Sequence, residues 1–167
     1  MPFIPLIHDY KPFYVQAATD QAATDILQTY GIVVQKPDYP IARTPKEPYK
    51  NDWHDEHGDD EWLGAMYYQA FTFKLQCVIL GQDETDASHS AVLSQIRSFQ
   101  TKIGGGEIKV YDSWNKTGFQ KVRLSNFSDA SFESFGGRCR AFFSVEFKVN
   151  DPVTAVSFTN GAIVAST

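Results

Sequence analysis

The chain has 167 residues, of which 43% are hydrophobic, 14% aromatic and 21% charged, and its formal net charge is −5. This is the length of one domain with or without short arms, and the hydrophobic content excludes wholesale disorder. Proteins that bind nucleic-acid phosphates are normally basic, so the acidic balance argues against that class. No apolar run reaches the ~20 residues of a membrane helix, and two prolines interrupt the short apolar N-terminal stretch, which is unlike a secretory leader. We therefore expect a soluble protein that stays in the compartment where it is made.

Prolines dominate the first fifty residues. Because proline removes an amide donor and favours extended neighbours, residues 1–15 are predicted to form an extended arm. Between Ala17 and Tyr30 apolar residues recur every four positions, which predicts a short helix that ends at Gly31. A short strand is predicted over 32–35, followed by an extended crossing over 36–49.

The clearest periodicities lie in the middle of the chain. Residues 71–79 alternate between apolar and polar, which predicts a half-buried strand. A helix is predicted over 86–103, with Asp86 and Ser88 as candidate caps and Gly104-Gly105-Gly106 as its stop. Its apolar face consists of Val92, Ile96, Phe99 and Ile103.

Three more strands are predicted beyond the helix. They centre on Ile108–Val110, on Val122–Leu124 and on 141–149, and the last follows a Gly136-Gly137 turn and ends at Asn150-Asp151-Pro152. Short loops between these strands favour antiparallel pairing. The uncharged residues 153–167 are predicted to form a second extended arm.

These elements predict an α+β fold, mainly β, built as an antiparallel β-sheet or sandwich with one packed helix. A single domain over 16–152 lies between an N-terminal arm, 1–15, and a C-terminal arm, 153–167. The two cysteines, Cys77 and Cys139, both lie in strand-like runs and lack any zinc-site spacing, so we expect two reduced, buried thiols.

An acidic segment over 51–64, NDWHDEHGDDEWLG, is the strongest candidate for a metal site. Its weak candidate ligands are His54, His57, Asp59 and Asp60. The spacing matches neither the HExxH motif nor an EF-hand loop. A solvated acidic loop anchored by Trp53 and Trp62 is the favoured interpretation, with a structural divalent ion as the alternative.

No catalytic motif is found elsewhere. The glycines at 104–106 follow a helix, whereas a phosphate-binding loop precedes one, and no serine lies in a GxSxG elbow. We therefore predict no catalytic residue, no cofactor and no enzymatic activity.

Two features suggest self-association. Basic residues on the polar strand faces are either an ordinary solvated surface or a partner for a neighbour's acidic loop; they are Lys109, Lys116, Lys121, Arg123, Arg138, Arg140 and Lys148. The arms carry apolar side chains that a monomer would expose. The predicted subunit-interface residues are Phe3, Ile4, Leu6, Ile7, Phe13, Val156, Phe158 and Ile163, although each arm could instead fold back on its own domain.

The order of these elements resembles the N-terminal ring-forming domain of bacteriophage distal tail proteins, and more loosely phage tail-tube and tail-terminator proteins. The resemblance spans about 30–152. It is carried by Tyr30–Val34, the Gly58-Asp59 turn, the strand Ala70–Leu75, the helix Val92–Ile103, the turn and strand Gly104–Asp112, Phe132–Gly136, and the aromatic strand Ala141–Val149 with its Asp151-Pro152 ending.

The resemblance implies a non-enzymatic virion protein, made in the host cytoplasm, that forms a homo-oligomeric ring in the tail, hexameric by resemblance. Longer relatives carry a second, carbohydrate-binding-like domain that is not found after Asp151-Pro152, so ring building rather than receptor recognition is implied. Its partners would be further copies of itself and adjacent tail proteins, and it would not bind a membrane. DNA would slide through an acidic lumen without specific binding. The alternatives are another ring of the same tail, a small metal-binding or hydrolytic module, and a cytosolic adaptor.

Overall fold

The computed structural model describes residues 11–35, 37, 39–40, 42–47, 50–51, 60–61 and 65–166. The helices are α1 (Ile26–Tyr30) and α2 (Asp86–Gly104). The strands are β1 (Phe13–Ala17), β2 (Thr24–Asp25), β3 (Ile32–Val34), β4 (Lys50–Asn51), β5 (Asp60–Glu61), β6 (Phe71–Leu80), β7 (Ile108–Asp112), β8 (Thr117–Phe127), β9 (Ser131–Phe135), β10 (Arg138–Val149), β11 (Val156–Thr159) and β12 (Ala162–Ala165).

One antiparallel sheet of eight strands organises the fold, in the order β2-β1-β7-β8-β10-β6-β3, with β9 paired to one end of β10. Strand β1, next to one edge of the sheet, and strand β3, at the other edge, both lie close to α1, so the sheet curls around its concave face. The predicted α+β, mainly β class with antiparallel pairing is confirmed.

The central strand, β10, shows why the sheet has two different faces. Its odd-numbered residues, Cys139 to Val149, are buried and its even-numbered residues are half-exposed, as the period of two in a strand requires. We call the buried side the helix face, because α2 packs there, and the other side the outer face.

Helix α2 confirms the sequence prediction almost to the residue. Val92, Ile96, Phe99 and Ile103 are its buried side chains, and each contributes about 1.5–3 kcal/mol by leaving water. Its N-cap is Thr85, whose side chain accepts a hydrogen bond from the Ser88 amide, and not Asp86 or Ser88. Gly105 is the C-cap, within the predicted glycine stop.

Helix α1 is shorter than predicted because two aspartates redirect the chain before it. The Asp20 carboxylate accepts from the Ala17 amide and pairs with Lys102 at the end of α2, which fixes a turn after β1. Asp25 then caps α1 by accepting from the Leu27 amide at 2.9 Å. Gly31, with φ 71°, ends α1 as expected.

The C-terminal residues predicted to be an extended arm instead form a hairpin, β11–β12, on their own domain. It packs against β7 and β8, on the outer face. Gly118 permits this contact, since an added Cβ would lie 2.4 Å from Val156 Cγ2 and 2.7 Å from the Val110 carbonyl oxygen.

Buried Gln16 ties the same hairpin to β1. Its Oε1 accepts from the Ile163 amide at 2.7 Å, while its Nε2 donates to the Asp20 carbonyl. The boundary predicted at residue 15 also falls inside β1, so the folded unit extends beyond 16–152 at both ends.

A second hairpin precedes β6. An isolated bridge joins Pro45 to Tyr68, and β4 pairs with β5 further along. The acidic segment therefore connects two paired strands. Residues 52–59, which form most of that segment, lie outside the described part of the chain.

Candidate interaction surface

The candidate metal ligands are not brought together in the described structure. His54, His57 and Asp59 lie outside the described residues, and only the backbone of Asp60 is placed, where it pairs with Asn51. Among the described residues no group of three His, Cys, Asp or Glu side chains could hold a metal ion. The hypothesis of a metal-binding module stays a prediction.

Two of the titratable groups with shifted pKa values in the described region, Cys77 and Tyr39, are side chains of the core and its margin. Cys77 and Cys139 are free and buried, as predicted. Burial raises the pKa of the Cys77 thiol well above its ordinary range, so this cysteine is a poor nucleophile. Burial, together with the nearby Asp112 carboxylate, likewise raises the pKa of Tyr39; this tyrosine packs against Phe73 at 4.9 Å.

The predicted subunit-interface residues fall into two groups, one outside the described structure and one packed within the chain. Phe3, Ile4, Leu6 and Ile7 lie outside the described residues. Phe13, Val156 and Ile163 are buried in their own chain, with 3%, 8% and 1% of their surfaces exposed. These three side chains therefore stabilise the monomer's own fold, and their contact with a neighbouring subunit stays a prediction.

Phe158 also packs within its own chain. Its ring stacks on Tyr14 at 4.2 Å and lies 5.7 Å from Tyr111. Tyr14 and Tyr111 are paired across β1 and β7 on the outer face, so the hairpin covers that half of the outer face.

The other half of the outer face, on β3, β6, β10 and β9, carries a different surface. Register places Val33 beside Val78, and Val78 beside Phe142, so three apolar side chains form a row across three strands. Leu80 lies beside Arg140 in the next row. All of these side chains are half-buried.

Arg140 lies between two aromatic rings at the end of this row. Its guanidinium carbon is 4.1 Å from the Phe135 ring centre and 4.6 Å from that of Phe142, and its Nε donates to Glu133 Oε1 at 2.8 Å. Phe135 remains 55% exposed. We call this surface the aromatic patch; it comprises Val33, Val78, Leu80, Phe135, Arg140 and Phe142.

The basic residues do not form one uniform face. Lys109 donates to the Ile163 carbonyl at 3.3 Å, and Arg140 is paired with Glu133. Arg123 and Lys148 are cross-strand neighbours, which places two like charges side by side. The outer face is therefore mixed in character, with basic residues beside β8 and an aromatic patch toward β9.

Sequence reasoning missed the aromatic patch, although a signal was present. Phe142 lies in the best predicted strand, at a position where the alternation calls for a polar residue. An aromatic side chain there departs from the pattern expected of a solvent-facing position. Phe135, next to the Gly136-Gly137 turn, completes the patch only because β9 pairs with β10.

In the part of the chain that the structure describes, no helix is both long and apolar enough to cross a membrane.

Comparison with known proteins supports the fold. No protein-family model and no curated protein matches the chain. Among solved structures it is similar to the Dit (gp 19.1) protein of phage SPP1, described as a paradigm of the hub adsorption apparatus in phages that infect Gram-positive bacteria. The TM-score is 0.53 at 12% identity, and the match covers 87% of this chain and 52% of Dit. The chain thus spans about half the length of that protein, and the predicted resemblance in fold to a phage distal tail protein is confirmed.

Proposed function

We propose that the protein is a non-enzymatic structural component of a phage tail and assembles into a homo-oligomeric ring at the distal end of the tail tube. The single observation that carries this proposal is the similarity in fold to Dit over 87% of the chain. A hexamer, association with adjacent tail proteins and passage of DNA through the ring without specific binding belong to the same proposal. Two alternatives within this proposal are that the ring belongs to the tail tube or that it is the tail terminator of the same tail.

Self-association is supported by the character of the outer face. Interface cores are enriched in aromatic residues and arginine, and the aromatic patch combines both on a half-exposed sheet surface. The C-terminal hairpin, packed on β7 and β8, covers a different part of that face.

The first test is the mass of the full-length protein in solution, measured by light scattering over a concentration series. We expect a discrete oligomer whose population grows with concentration. A protein that stays monomeric at its highest soluble concentration would contradict the proposal.

Elemental analysis of the same sample addresses the alternative of a metal-dependent module. We expect no stoichiometric metal. One tightly held zinc per chain, lost in a His54→Ala/His57→Ala variant, would favour the alternative.

A further inference from the structure

We infer that Asn160 is a site of spontaneous covalent modification, where the chain closes into a cyclic imide and reopens as aspartate or isoaspartate, and that the isoaspartate form loosens the C-terminal hairpin. Both steps concern the folded single chain. The inference therefore does not depend on the proposed ring.

The residue that follows it distinguishes this asparagine from the others. The chain has five asparagines, of which only Asn160 precedes a glycine; the others are Asn51, Asn115, Asn126 and Asn150. A glycine has no Cβ to hinder attack by its own amide nitrogen. Apart from its chain neighbours, no described heavy atom would lie within 4 Å of a Cβ added at Gly161. The nitrogen of Gly161 is therefore open to reaction.

The turn between β11 and β12 leaves both reacting groups free. Asn160 and Gly161 are exposed and form the two-residue loop between the paired residues Thr159 and Ala162. Within the part of the chain that the structure describes, neither the Asn160 side-chain amide nor the Gly161 backbone N–H makes a hydrogen bond. Reaction at this turn therefore breaks no hydrogen bond of these two groups.

The backbone of the turn is close to the geometry that an imide needs. A five-membered imide ring suits the first central position of a type II′ turn, where φ is about +60° and ψ about −120°. Asn160 already has φ 51°. Types I′ and II′ both join strands through two residues, and rotation of the one peptide unit between Asn160 and Gly161 interconverts them. The bond from the Ala23 N–H to the Gly161 carbonyl, 2.8 Å long, belongs to the next peptide unit and is kept.

The reaction needs only water and a base. The Gly161 nitrogen loses its proton and attacks Cγ of Asn160; the N–Cγ bond forms, the bond from Cγ to the side-chain nitrogen breaks, and ammonia leaves. Water then opens the imide. Opening at Cγ gives an aspartate side chain on an unchanged main chain. Opening at the main-chain carbonyl carbon gives isoaspartate, in which the main chain runs through Cβ and Cγ. Neither step oxidises or reduces the protein.

Isoaspartate lengthens the main chain of the turn by one methylene group. The register that pairs Phe158 with Ile163 depends on a loop of two residues. Phe158 holds the hairpin on the sheet by stacking on Tyr14 at 4.2 Å. Ile163 holds it by donating its amide hydrogen to Gln16 at 2.7 Å. A longer loop disturbs this register, so the hairpin leaves the outer face more readily.

Peptide mapping of the full-length protein by mass spectrometry, after incubation in mildly alkaline buffer, tests the modification. We expect aspartate, isoaspartate and the imide at position 160, formed at least about tenfold faster than products at Asn115, Asn126 or Asn150. Tenfold corresponds to about 1.4 kcal/mol in activation free energy. Equal rates at all four positions would overturn the inference.

The same incubation in urea separates the effect of the turn from that of the sequence alone. Since the folded turn is close to the imide geometry, we expect the folded protein to react at position 160 at a rate within about tenfold of the rate in urea. A greater slowing in the folded protein would show that the turn protects Asn160, which contradicts the inference.

Hydrogen exchange separates the longer main chain from the added charge. The control is Asn160→Asp, which carries the same carboxylate without the extra methylene, and Asp tolerates positive φ as Asn does. We expect peptides that cover β11 and β12 to exchange faster in the isoaspartate form than in Asn160→Asp, with α2 unchanged. Equal exchange in the two proteins would mean that isoaspartate does not loosen the hairpin.

Discussion

At the level of single residues, the carboxylate of Asp151 holds the turn that follows β10. Gln120 Nε2 donates to its Oδ2 at 2.8 Å, and the Thr154 amide donates to its Oδ1 at 3.0 Å. Burial of the carboxyl opposes ionisation, but these hydrogen bonds outweigh burial and lower the pKa of Asp151 well below its usual range. A carboxyl with a lower pKa in the folded state stabilises the fold above its unfolded-state pKa of about 4, and that contribution is lost as pH falls through the folded-state pKa.

We therefore expect Asp151→Asn to lower the free energy of unfolding at about pH 7 by about 1.5–3 kcal/mol, the value of hydrogen bonds to a charged group. The difference in the free energy of unfolding between this variant and the wild type should narrow progressively below about pH 4. Urea denaturation at a series of pH values measures both effects. Asp129→Asn, at an exposed position, is the control, and an equal loss in that variant would mean that total charge rather than this turn is responsible.

Residue contacts of this kind are only partly predictable from sequence. Asp151-Pro152 was recognisable as the end of a strand, because Asp-Pro interrupts both pairing and alternation. The buried Gln16 was not recognisable, since its partner Ile163 lies 147 positions away. A polar residue in a strand shows no sign of burial until the element that covers it is known.

At the level of elements, the packing of α2 on the sheet is a main source of stability. Ile96 is 5% exposed and faces the sheet, whereas its neighbour Arg97 is exposed. We expect Ile96→Asp to unfold the protein or to lower its melting temperature strongly, since an unpaired charge cannot be buried there. Arg97→Asp is the control, and equal melting temperatures for Ile96→Asp and the wild type would show that the helix does not pack as described.

The C-terminal hairpin gives a second prediction. Gln16→Leu keeps a similar volume but leaves the buried Ile163 amide without its acceptor, which costs about 1–3 kcal/mol. We expect faster hydrogen exchange in peptides that cover β11 and β12, with little change in α2. Gln100→Leu, at an exposed position of α2, is the control; exchange that rises equally across the whole chain would contradict a local role for Gln16.

The elements differ in how well sequence predicted them, for physical reasons. Helix α2 was predictable because its four buried residues follow the helical period. The hairpin β11–β12 was missed although Asn160-Gly161 is a strong signal for a two-residue turn, and both residues do adopt positive φ, 51° and 79°. The residues before this turn, Val156 to Thr159, do alternate between apolar and polar, but a run of four residues is too short to mark a strand by periodicity alone.

At the level of the whole molecule, the outer face was the part that sequence could least anticipate. The order of strands and helix carried the resemblance to distal tail proteins, and the fold similarity to Dit agrees with it. Which side chains remain exposed depended on where the C-terminal hairpin docks, and the hairpin was predicted to be an arm. Because the hairpin covers β7 and β8, the aromatic patch is the half-exposed apolar part of the outer face that remains toward β9.

Electron microscopy of the full-length protein, purified at concentrations where light scattering detects an oligomer, tests the proposed ring most directly. Averaged particle images should show closed rings of one size with cyclic symmetry and a central opening wide enough for DNA. Particles that are compact without an opening, open filaments, or single chains at every concentration would contradict the proposal that this protein builds a ring of a phage tail.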